Sequence, residues 1–430
     1  MKRCILSLLF SILLPLYTLA QPSTNKVFWV HGLNDNRSSD ETSQVWYVFK
    51  TSLTEPANQG TSIQWSGNKS ISVAGNALIS TVNREVPSGK AIVFGHSAGG
   101  LVARYAAQNG SGKIRAIITA GTPNNGAGIV TSLQDGSFNN VADKVIAKLN
   151  VSLAAGSFAI ASVVHGLARP ILVLLGATPA LLNNTEQAFA KDFIDEQKES
   201  FYKEIAVQDM DPDLTKNPFL EILNTTAPTV PIINLYGNES GKRLIRMAGT
   251  VMHRDEVNSY LNTTQATYDD KAMPIYNLIQ ASCATFQVTH AALGVSLGVL
   301  AVYYPKYWVS SALNVAAAVS WTDTQRFVQY DCHNEWDKII GATHIEKEEE
   351  WHKLLWKKWL TVKYVTVYDP SDGFIPNNSS MMETKKGATI QNIEVPGVNH
   401  LEMNSHPEMK RYLEDILKNS RYGDVFNPKK

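Results

Sequence analysis

The stretch that decides the fold is KAIVFGHSAGGLVARYAAQNG, residues 90–110. An apolar run leads to Gly95, a serine follows, and beyond Gly99 apolar residues recur with the spacing of one helical face. A strand that turns sharply into a helix at such a serine presents the hydroxyl above the helix N-terminus, where N–H groups favour negative charge. The pattern therefore predicts a strand–turn–helix unit with Ser97 as a candidate nucleophile.

The segments around this unit alternate between short apolar runs and helical patterns. The sequence predicts strands at KVFWV (26–30), TSIQW (61–65), KAIVFG (90–95) and IRAIITAG (114–121), with helices within 41–53, 73–86 and 98–109. Strands separated by helices indicate a parallel sheet with helices on both faces. The predicted fold class is α/β.

The alternation stops after residue 127 and returns near residue 361, and the chain ends with a predicted helix at HPEMKRYLEDILKN (406–419), where Pro407 suits the first turn. The interval contains two long apolar stretches, 152–182 and 291–321, and each is interrupted by proline and a basic residue. The uninterrupted runs are too short to cross a bilayer, so they indicate helices that cover the sheet. We expect a large, mainly helical inserted cap, although TVPIINLYG (229–237) reads as a strand.

This reading divides the chain into four parts. Residues 1–20 are predicted to be a signal peptide, 21–127 and 361–430 the two parts of the sheet domain, and 128–360 the cap. The first part has a basic start, an apolar run that contains Pro15, and small residues before Gln21. We expect an exported protein, periplasmic or secreted, with an uncleaved membrane anchor as the alternative.

The charge balance limits the classes of binding partner that the sequence predicts. The chain has 39 basic and 39 acidic residues and no long basic run, so nucleic acid is not an expected partner.

Cys283 and Cys332 remain after removal of the signal peptide, and spacing does not decide between a disulfide and two buried thiols. DMDPDL (209–214) lacks the glycine of a calcium loop and reads as a solvated acidic loop. No metal and no cofactor are expected.

A serine nucleophile needs a base, and the base needs a carboxylate to orient it. After the strand–turn–helix unit these partners come in the order acid, then histidine, each in a loop that follows a strand. YVTVY is followed by Asp369 and Asp372, and IEVPGV is followed by His400. We predict His400 as the base and Asp372, which a glycine turn follows, as the acid. Asp369 and Glu239 remain alternative acids.

Stabilisation of an oxyanion requires two backbone N–H donors, one after the nucleophile and one from the loop after an early strand. Ala98 follows the serine and is the first predicted donor. The loop in WVHGLND (29–35) supplies the second, which we assign to Leu33 because Gly32 lets the backbone approach closely. His31 is expected to pack beneath this loop rather than to act as a second base.

EEEWHKLLWKKWLTV (348–362) places tryptophans and leucines at helical spacing beside lysines. The pattern predicts an amphipathic helix packed on the core. A lipid-facing helix near the site is the alternative.

Five motifs connect the chain to a known group: VHGL (30–33), GHSAGG (95–100), AGTPNNGA (120–127), SDGFIP (371–376) and VNHLEM (398–403). With these motifs the sequence resembles the secreted lipases and esterases of the α/β-hydrolase superfamily. The resemblance covers the two ends of the chain. It implies an α/β-hydrolase fold and ester hydrolysis through an acyl-enzyme, with Ser97, Asp372 and His400 as the triad. The long interval between Ser97 and Asp372 departs from the family pattern.

We therefore expect a serine hydrolase that cleaves carboxylic esters, with a small molecule or a lipid as substrate and with contact to a lipid interface. One alternative is a deacylase or amidase that uses the same triad on a larger glycolipid, polymer or peptide. Another is a non-catalytic binding protein that uses the cap as its contact surface. The sequence does not indicate an oligomeric state.

Overall fold

The computed structural model describes residues 25–33, 47–110, 112–138, 205–239, 269–326, 330–354 and 357–430. The predicted signal peptide and the apolar stretch 152–182 lie outside these residues, as do the side chains of both candidate disulfide cysteines. Within the described ranges, no helix combines the length and the apolar character needed to span a bilayer.

A parallel sheet of five strands forms the centre of the molecule, and two further strands form an antiparallel hairpin. In chain order the strands are β1 (Lys26–Val30), β2 (Ala91–His96), β3 (Ile114–Ala120), β4 (Ile232–Asn238), β5 (Thr343–Leu354), β6 (Lys357–Tyr368) and β7 (Ile390–Pro396). The order across the central sheet is β1-β2-β3-β4-β7, and β5 pairs with β6. The predicted α/β class is confirmed for this central unit.

The helices connect these strands and form the separate region after β4. In chain order they are α1 (Tyr47–Leu53), α2 (Ile71–Glu85), α3 (Ala98–Asn109), α4 (Gly128–Gln134), α5 (Ile205–Gln208), α6 (Pro218–Thr225), α7 (Asp269–Tyr303), α8 (Trp308–Arg326), α9 (Cys332–Ile339), α10 (Asn377–Ser380) and α11 (Pro407–Lys418). Short 3₁₀ turns include Pro305–Tyr307 between α7 and α8, and His400–Glu402 before α11.

Both faces of the central sheet are buried, which explains why its strands read as continuous apolar runs. In β1, Phe28 and Val30 belong to one apolar cluster, which α2 and α3 cover. Val27 and Trp29 belong to a second cluster on the opposite face, which α1 and α11 cover. The predicted terminal helix with proline at its first position is therefore confirmed as one of the two covers of this second face.

The predicted strand TSIQW is not formed as a strand. Residues 61–65 follow an isolated bridge between Gln59 and Val27 and make no ladder with the sheet. Ile63 and Trp65 are nevertheless buried in the first apolar cluster, and the Trp65 indole N–H donates to the carbonyl of His31 at 3.1 Å. The apolar pattern therefore reported side-chain burial rather than strand pairing.

The amphipathic helix predicted at 348–362 is also wrong. These residues belong to β5 and β6, whose registers pair Trp351 with Leu360 and His352 with Trp359. The rings of His352 and Trp359 stack at 5.4 Å, a contact that the cross-strand pairing brings about. β6 is rich in β-branched and aromatic residues, and this composition favours a strand even though a few tryptophans have helical spacing.

Part of the predicted cap belongs to the central sheet. The strand expected within TVPIINLYG is β4, and it lies between β3 and β7. The boundaries 128–360 therefore enclose one core strand together with helices α7, α8 and α9. The core sheet also does not resume at residue 361, because β6 pairs only with β5 among the described strands.

The acidic loop at 209–214 is more buried than predicted. Asp211 is 4% exposed, and one of its oxygens accepts a hydrogen bond from Gln134 on α4. Asp209 accepts the backbone N–H of Ile71 at the start of α2, at 2.7 Å. Burial raises the pKa of Asp209 from its usual value. Through these two hydrogen bonds the loop connects the end of α4 to the start of α2.

A buried cation connects α3 to the loop after β3 and to the end of α6. Arg104 is 2% exposed, and its guanidinium donates to the side-chain oxygen of Asn124 at 3.0 Å. It also donates to the carbonyl of Leu223 at 3.1 Å and to the side-chain oxygen of Asn224 at 2.8 Å. Burial lowers the pKa of Arg104 to about 9, which leaves it charged at neutral pH. These amide oxygens take over the role of water around the charge.

We expect Arg104→Lys to lower the free energy of unfolding by about 2–4 kcal/mol, because one ammonium group cannot replace the forked guanidinium and buried acceptors lose their donors. Urea denaturation measures the change. Arg84→Lys on α2, where the side chain is 67% exposed, is the matched control and should change the value by less than about 0.5 kcal/mol. Equal losses in the two variants would contradict a bridging role for Arg104.

Candidate active site

The candidate site lies at the carboxyl edge of the parallel sheet, where ligands of open α/β sheets bind. Ser97 follows β2 directly and is the first residue before α3. Its backbone has φ 53°, and it is the one non-glycine residue with positive φ among those the structure describes. Such a conformation costs roughly 1–3 kcal/mol and persists only where the surrounding packing enforces it.

Close backbone contacts enforce this turn. A Cβ added to Gly95 would come within 2.4 Å of the carbonyl oxygen of Gly99, and one added to Gly99 would lie 2.5 Å from the carbonyl oxygen of His31. The Ser97 N–H donates to the carbonyl of Ala120 at the end of β3, at 2.8 Å. The turn is thus held against the ends of both neighbouring strands, and glycine is required on each side of the serine.

The three residues predicted as nucleophile, base and acid come together in one chain of hydrogen bonds. His400 Nε2 lies 3.0 Å from Ser97 Oγ, and His400 Nδ1 lies 2.8 Å from Asp372 Oδ2. A carboxylate only accepts hydrogen bonds, so Nδ1 carries the proton and Nε2 is the acceptor for the serine hydroxyl. His400 and Asp372 are 4% and 1% exposed, while Ser97 is partly exposed.

The loop after β6 fixes the orientation of Asp372. The second carboxylate oxygen, Oδ1, accepts the backbone N–H groups of Phe374 at 3.0 Å and Ile375 at 2.6 Å. The indole N–H of Trp336 on α9 donates to the carbonyl of Gly373 at 2.6 Å. One oxygen is therefore occupied by the backbone, and the other is left for the histidine.

His400 is held on several sides. Its backbone N–H donates to the carbonyl of Asp372 at 2.7 Å, and its own carbonyl lies 3.0 Å from His96 Nε2. The rings of His96 and Phe374 lie 5.2 Å and 5.1 Å from the imidazole. Asn399 and Glu402 form a capping box around the 3₁₀ turn that carries the histidine. The imidazole therefore has little rotational freedom.

The alternative acids occupy other positions. Asp369 directly follows β6 and contacts His344 at the base of the hairpin, with its oxygens 3.0 and 3.1 Å from Nδ1. Contact with Glu346 and Asp369 raises the pKa of His344. Glu239 is 1% exposed at the end of β4, and its backbone N–H donates to the carbonyl of Ser371 at 2.8 Å. Of the three carboxylates, Asp372 is the one that contacts His400.

The segments that carry the two predicted oxyanion donors lie next to the serine. Ala98 is the first residue of α3, so its N–H has no acceptor within the helix. The loop that carries Leu33 passes close by, since a Cβ added to Gly32 would come within 2.8 Å of Ser97 Cβ. Beneath it, the buried His31 ring bonds to the carbonyl of Gly32 at 2.8 Å and stacks on Trp65 at 5.7 Å. His31 therefore supports the loop, as expected from the sequence.

Three residues that contact the site escaped sequence reasoning: His96, Trp336 and Phe374. His96 and Phe374 adjoin predicted site residues, so their position in GHSAGG and SDGFIP was the available signal. Trp336 lies 36 positions before Asp372, in a segment read as part of the cap, and no local pattern marked it. Among the described residues, no group of three or more histidine, cysteine or acidic side chains could hold a metal ion.

No model of a known protein family matches the chain, and no curated protein matches it. Solved structures with a similar arrangement include a thermophilic esterase, at 18% identity and a TM-score of 0.25, covering 50% of this chain and 70% of its own. The Bacillus licheniformis lipase BlEst2 in mature form matches at 16% identity and a TM-score of 0.26, covering 55% and 75%. MenH from S. aureus matches at 16% identity and a TM-score of 0.25, covering 54% and 82%.

Gly99→Ala tests the packing of the serine turn. We expect the added methyl group, pressed against two backbone carbonyls of the β1 end, to cost about 3 kcal/mol or more of unfolding free energy. Gly112→Ala is the comparison, because its methyl group would meet no atom within 4 Å and adds only the strain of a positive φ, about 1–2 kcal/mol. Thermal or urea unfolding measures both. A smaller loss for Gly99→Ala than for Gly112→Ala would show that the turn is not tightly packed.

Proposed function

We propose that the protein is a serine hydrolase of the α/β-hydrolase type that cleaves carboxylic esters. The observation that carries the proposal is the continuous chain from Asp372 through His400 to Ser97, at 2.8 and 3.0 Å, with the serine on a strained turn. A serine in a glycine-flanked turn needs no such partners for structural reasons alone. Strain of this kind, held by packing, is typical of functional sites.

In the proposed reaction, His400 Nε2 accepts the proton of Ser97 Oγ as that oxygen attacks the ester carbonyl. Asp372 holds the imidazole in the tautomer that leaves Nε2 free to accept, and it stabilises the imidazolium once it forms. The imidazolium then donates its proton to the departing alkoxide as the bond between the carbonyl carbon and the alkoxide oxygen breaks, so that an alcohol leaves and the acyl group stays on Ser97 Oγ as an acyl-serine. Water, deprotonated by the same histidine, attacks the acyl-serine and releases the carboxylic acid.

The N–H groups of Ala98 and Leu33 are the proposed donors to the oxyanion in both halves of the reaction. Two such donors, fixed before the substrate arrives, stabilise the negative charge that appears on the carbonyl oxygen. The N-terminus of α3 adds a favourable dipole at the same place. The site therefore supplies base, acid and anion stabilisation from the protein chain alone.

Apolar groups next to the serine support an acyl ester as substrate. Phe374 lies against the imidazole of His400. Leu33 is the residue after Gly32, whose backbone lies beside Ser97. A lipid ester is the substrate class we propose within this group, in an exported protein whose cap contributes helices near the site. Substrate profiling with matched esters and amides of increasing acyl length tests this choice directly.

Labelling by a fluorophosphonate, combined with ester kinetics, tests the roles of the three residues. We expect Ser97→Ala to abolish labelling, and His400→Ala or Asp372→Asn to lower kcat about 10⁴-fold or more because the serine loses its oriented base. Asp369→Asn is the matched control, since that carboxylate contacts His344 instead, and it should keep activity within a few-fold. Retained labelling in Ser97→Ala would refute the nucleophile, and equal losses in the two Asp→Asn variants would refute the choice of acid.

Leu33→Pro tests the second oxyanion donor, because proline removes the N–H and leaves the carbonyl in place. We expect kcat to fall about 10²–10³-fold, the usual effect of losing one such donor. Leu33→Ala keeps the N–H and should retain most of the activity. Thermal unfolding of both variants checks that the fold is intact. Similar kcat values for the proline and alanine variants would place the second donor elsewhere.

A further inference from the structure

Helices α7 and α8 form a long hairpin, residues 269–326, that is turned at Pro305–Tyr307. Small and polar groups lie between its two helices, and large aliphatic side chains face outward. The central sheet shows the opposite arrangement, with apolar side chains inside. This inverted polarity is unexpected for a surface that faces water.

Several contacts between the two helices are made by small and polar residues. The Ser311 hydroxyl donates to the carbonyl of Gly294 at 2.7 Å, and His290 Nδ1 lies 3.0 Å from Asn314 Oδ1. A Cβ added to Gly294 would come within 2.8 Å of α8, and Gly298 follows four positions later on the same face. Glycines at this spacing and hydroxyls bonded across the interface are the means by which helices pack in lipid, where apolar burial gives no driving force.

The outward surface is aliphatic and almost uncharged. Seven large aliphatic residues are more than half exposed: Val288, Val295, Val299, Val302, Val309, Leu313 and Val319. Residues 272–322 contain one Lys, Arg, Asp or Glu side chain, Lys306. Helices that face water normally carry many more charges on their exposed side. Water is therefore a poor match for this surface.

The turn of the hairpin carries a different set of side chains. Tyr303, Tyr304 and Trp308 are 76%, 57% and 57% exposed. The ammonium of Lys306 lies 5.1 Å from the ring centroid of Tyr307. Tyrosine and tryptophan concentrate at the boundary between lipid and water, and lysine extends its charge towards headgroup phosphates there. The turn thus combines the residues that such a boundary favours.

We propose that this hairpin docks on a lipid surface, with the aromatic turn at the level of the headgroups and the aliphatic side chains next to it among the acyl chains. Lipid fits better than a protein partner because the exposed residues are spread around α7. Val302 and Leu293 are nine residues apart, about two and a half turns, so they lie on opposite sides of the helix. A single flat partner would cover one side only. The inference does not depend on the proposed hydrolase activity.

Quenching of Trp308 by brominated lipid tests the docking at the site itself. The full chain is mixed with phosphatidylcholine vesicles, with and without bromine on the acyl chains, and tryptophan fluorescence is compared with that of Trp308→Phe. We expect the wild-type protein to show quenching that the Trp308→Phe variant lacks. This difference reports the hairpin alone, whatever other part of the chain contacts lipid.

Two aspartate substitutions near the turn provide the second arm. The double variant Val299→Asp, Val309→Asp should reduce the Trp308-dependent quenching and raise the lipid concentration needed for half-maximal quenching about tenfold or more, because a carboxylate is costly among acyl chains. Val73→Asp on α2, a valine 48% exposed on the sheet domain, is the matched control and should leave both quantities unchanged. Thermal unfolding should be unaltered in all variants, since every altered side chain is exposed.

Several results would overturn the proposal. Absence of Trp308-dependent quenching would do so, as would quenching that the two aspartates leave unchanged. A wild-type dimer in buffer that the double variant dissociates, together with no binding to vesicles, would assign the surface to a second copy of the chain. Loss of fluorophosphonate labelling in Ser97→Ala has no bearing on these readouts, so the two proposals succeed or fail separately.

Discussion

The strained turn at Ser97 is the constraint on which the rest of the site depends. Its positive φ is unfavourable for a serine, yet it alone points the hydroxyl away from the sheet and towards His400. The turn is possible because Gly95 and Gly99 let three backbone segments approach one another without side chains. The apolar clusters on both faces of the sheet hold β2 and α3 in place and so maintain the strain.

The acid reaches the same place by a different route. The sequence predicted that each triad member follows a strand of the core, but β6 belongs to the separate antiparallel hairpin. Asp372 is positioned instead by contacts with the end of β4, where a Cβ on Gly237 would lie 2.9 Å from that of Asp372. Trp336, from the region between β4 and β5, closes the loop by bonding to Gly373. The position of Asp372 is therefore sensitive to how that helical region packs, whereas the serine turn is held by the sheet and α3.

The elements that could be predicted correctly from the sequence are those set by patterns within a few residues. The strand before Ser97, the helix after it and the helix that begins at Pro407 were all predicted, because burial periodicity and turn chemistry act within a few residues. The strand predicted at TSIQW (61–65) was wrong because a buried extended segment and a strand have the same apolar pattern. Only pairing with a distant strand distinguishes the two. The 348–362 segment failed because cross-strand pairing overrode a helical spacing of aromatic residues. His400 and Asp372 were predicted as partners of Ser97 from their order along the chain, and the structure brings their side chains into contact, while Trp336 required the folded structure.

The sheet domain and the α7–α8 hairpin differ in which side chains they bury and which they expose. The sheet domain hides its apolar residues and satisfies a buried cation, Arg104, with amide oxygens, as a domain in water must. In the α7–α8 hairpin, Ser311 and His290 make hydrogen bonds to the opposite helix and many large aliphatic side chains are exposed, while Trp321 of α8 is buried in the first apolar cluster of the sheet domain. For the proposed lipid-ester hydrolase this division would be an advantage, because the region proposed to meet lipid could adapt to it while the strained serine turn stays fixed by the sheet and α3. On its C-terminal side the hairpin is joined to the loop of Asp372 through α9, which begins shortly after the hairpin and carries Trp336.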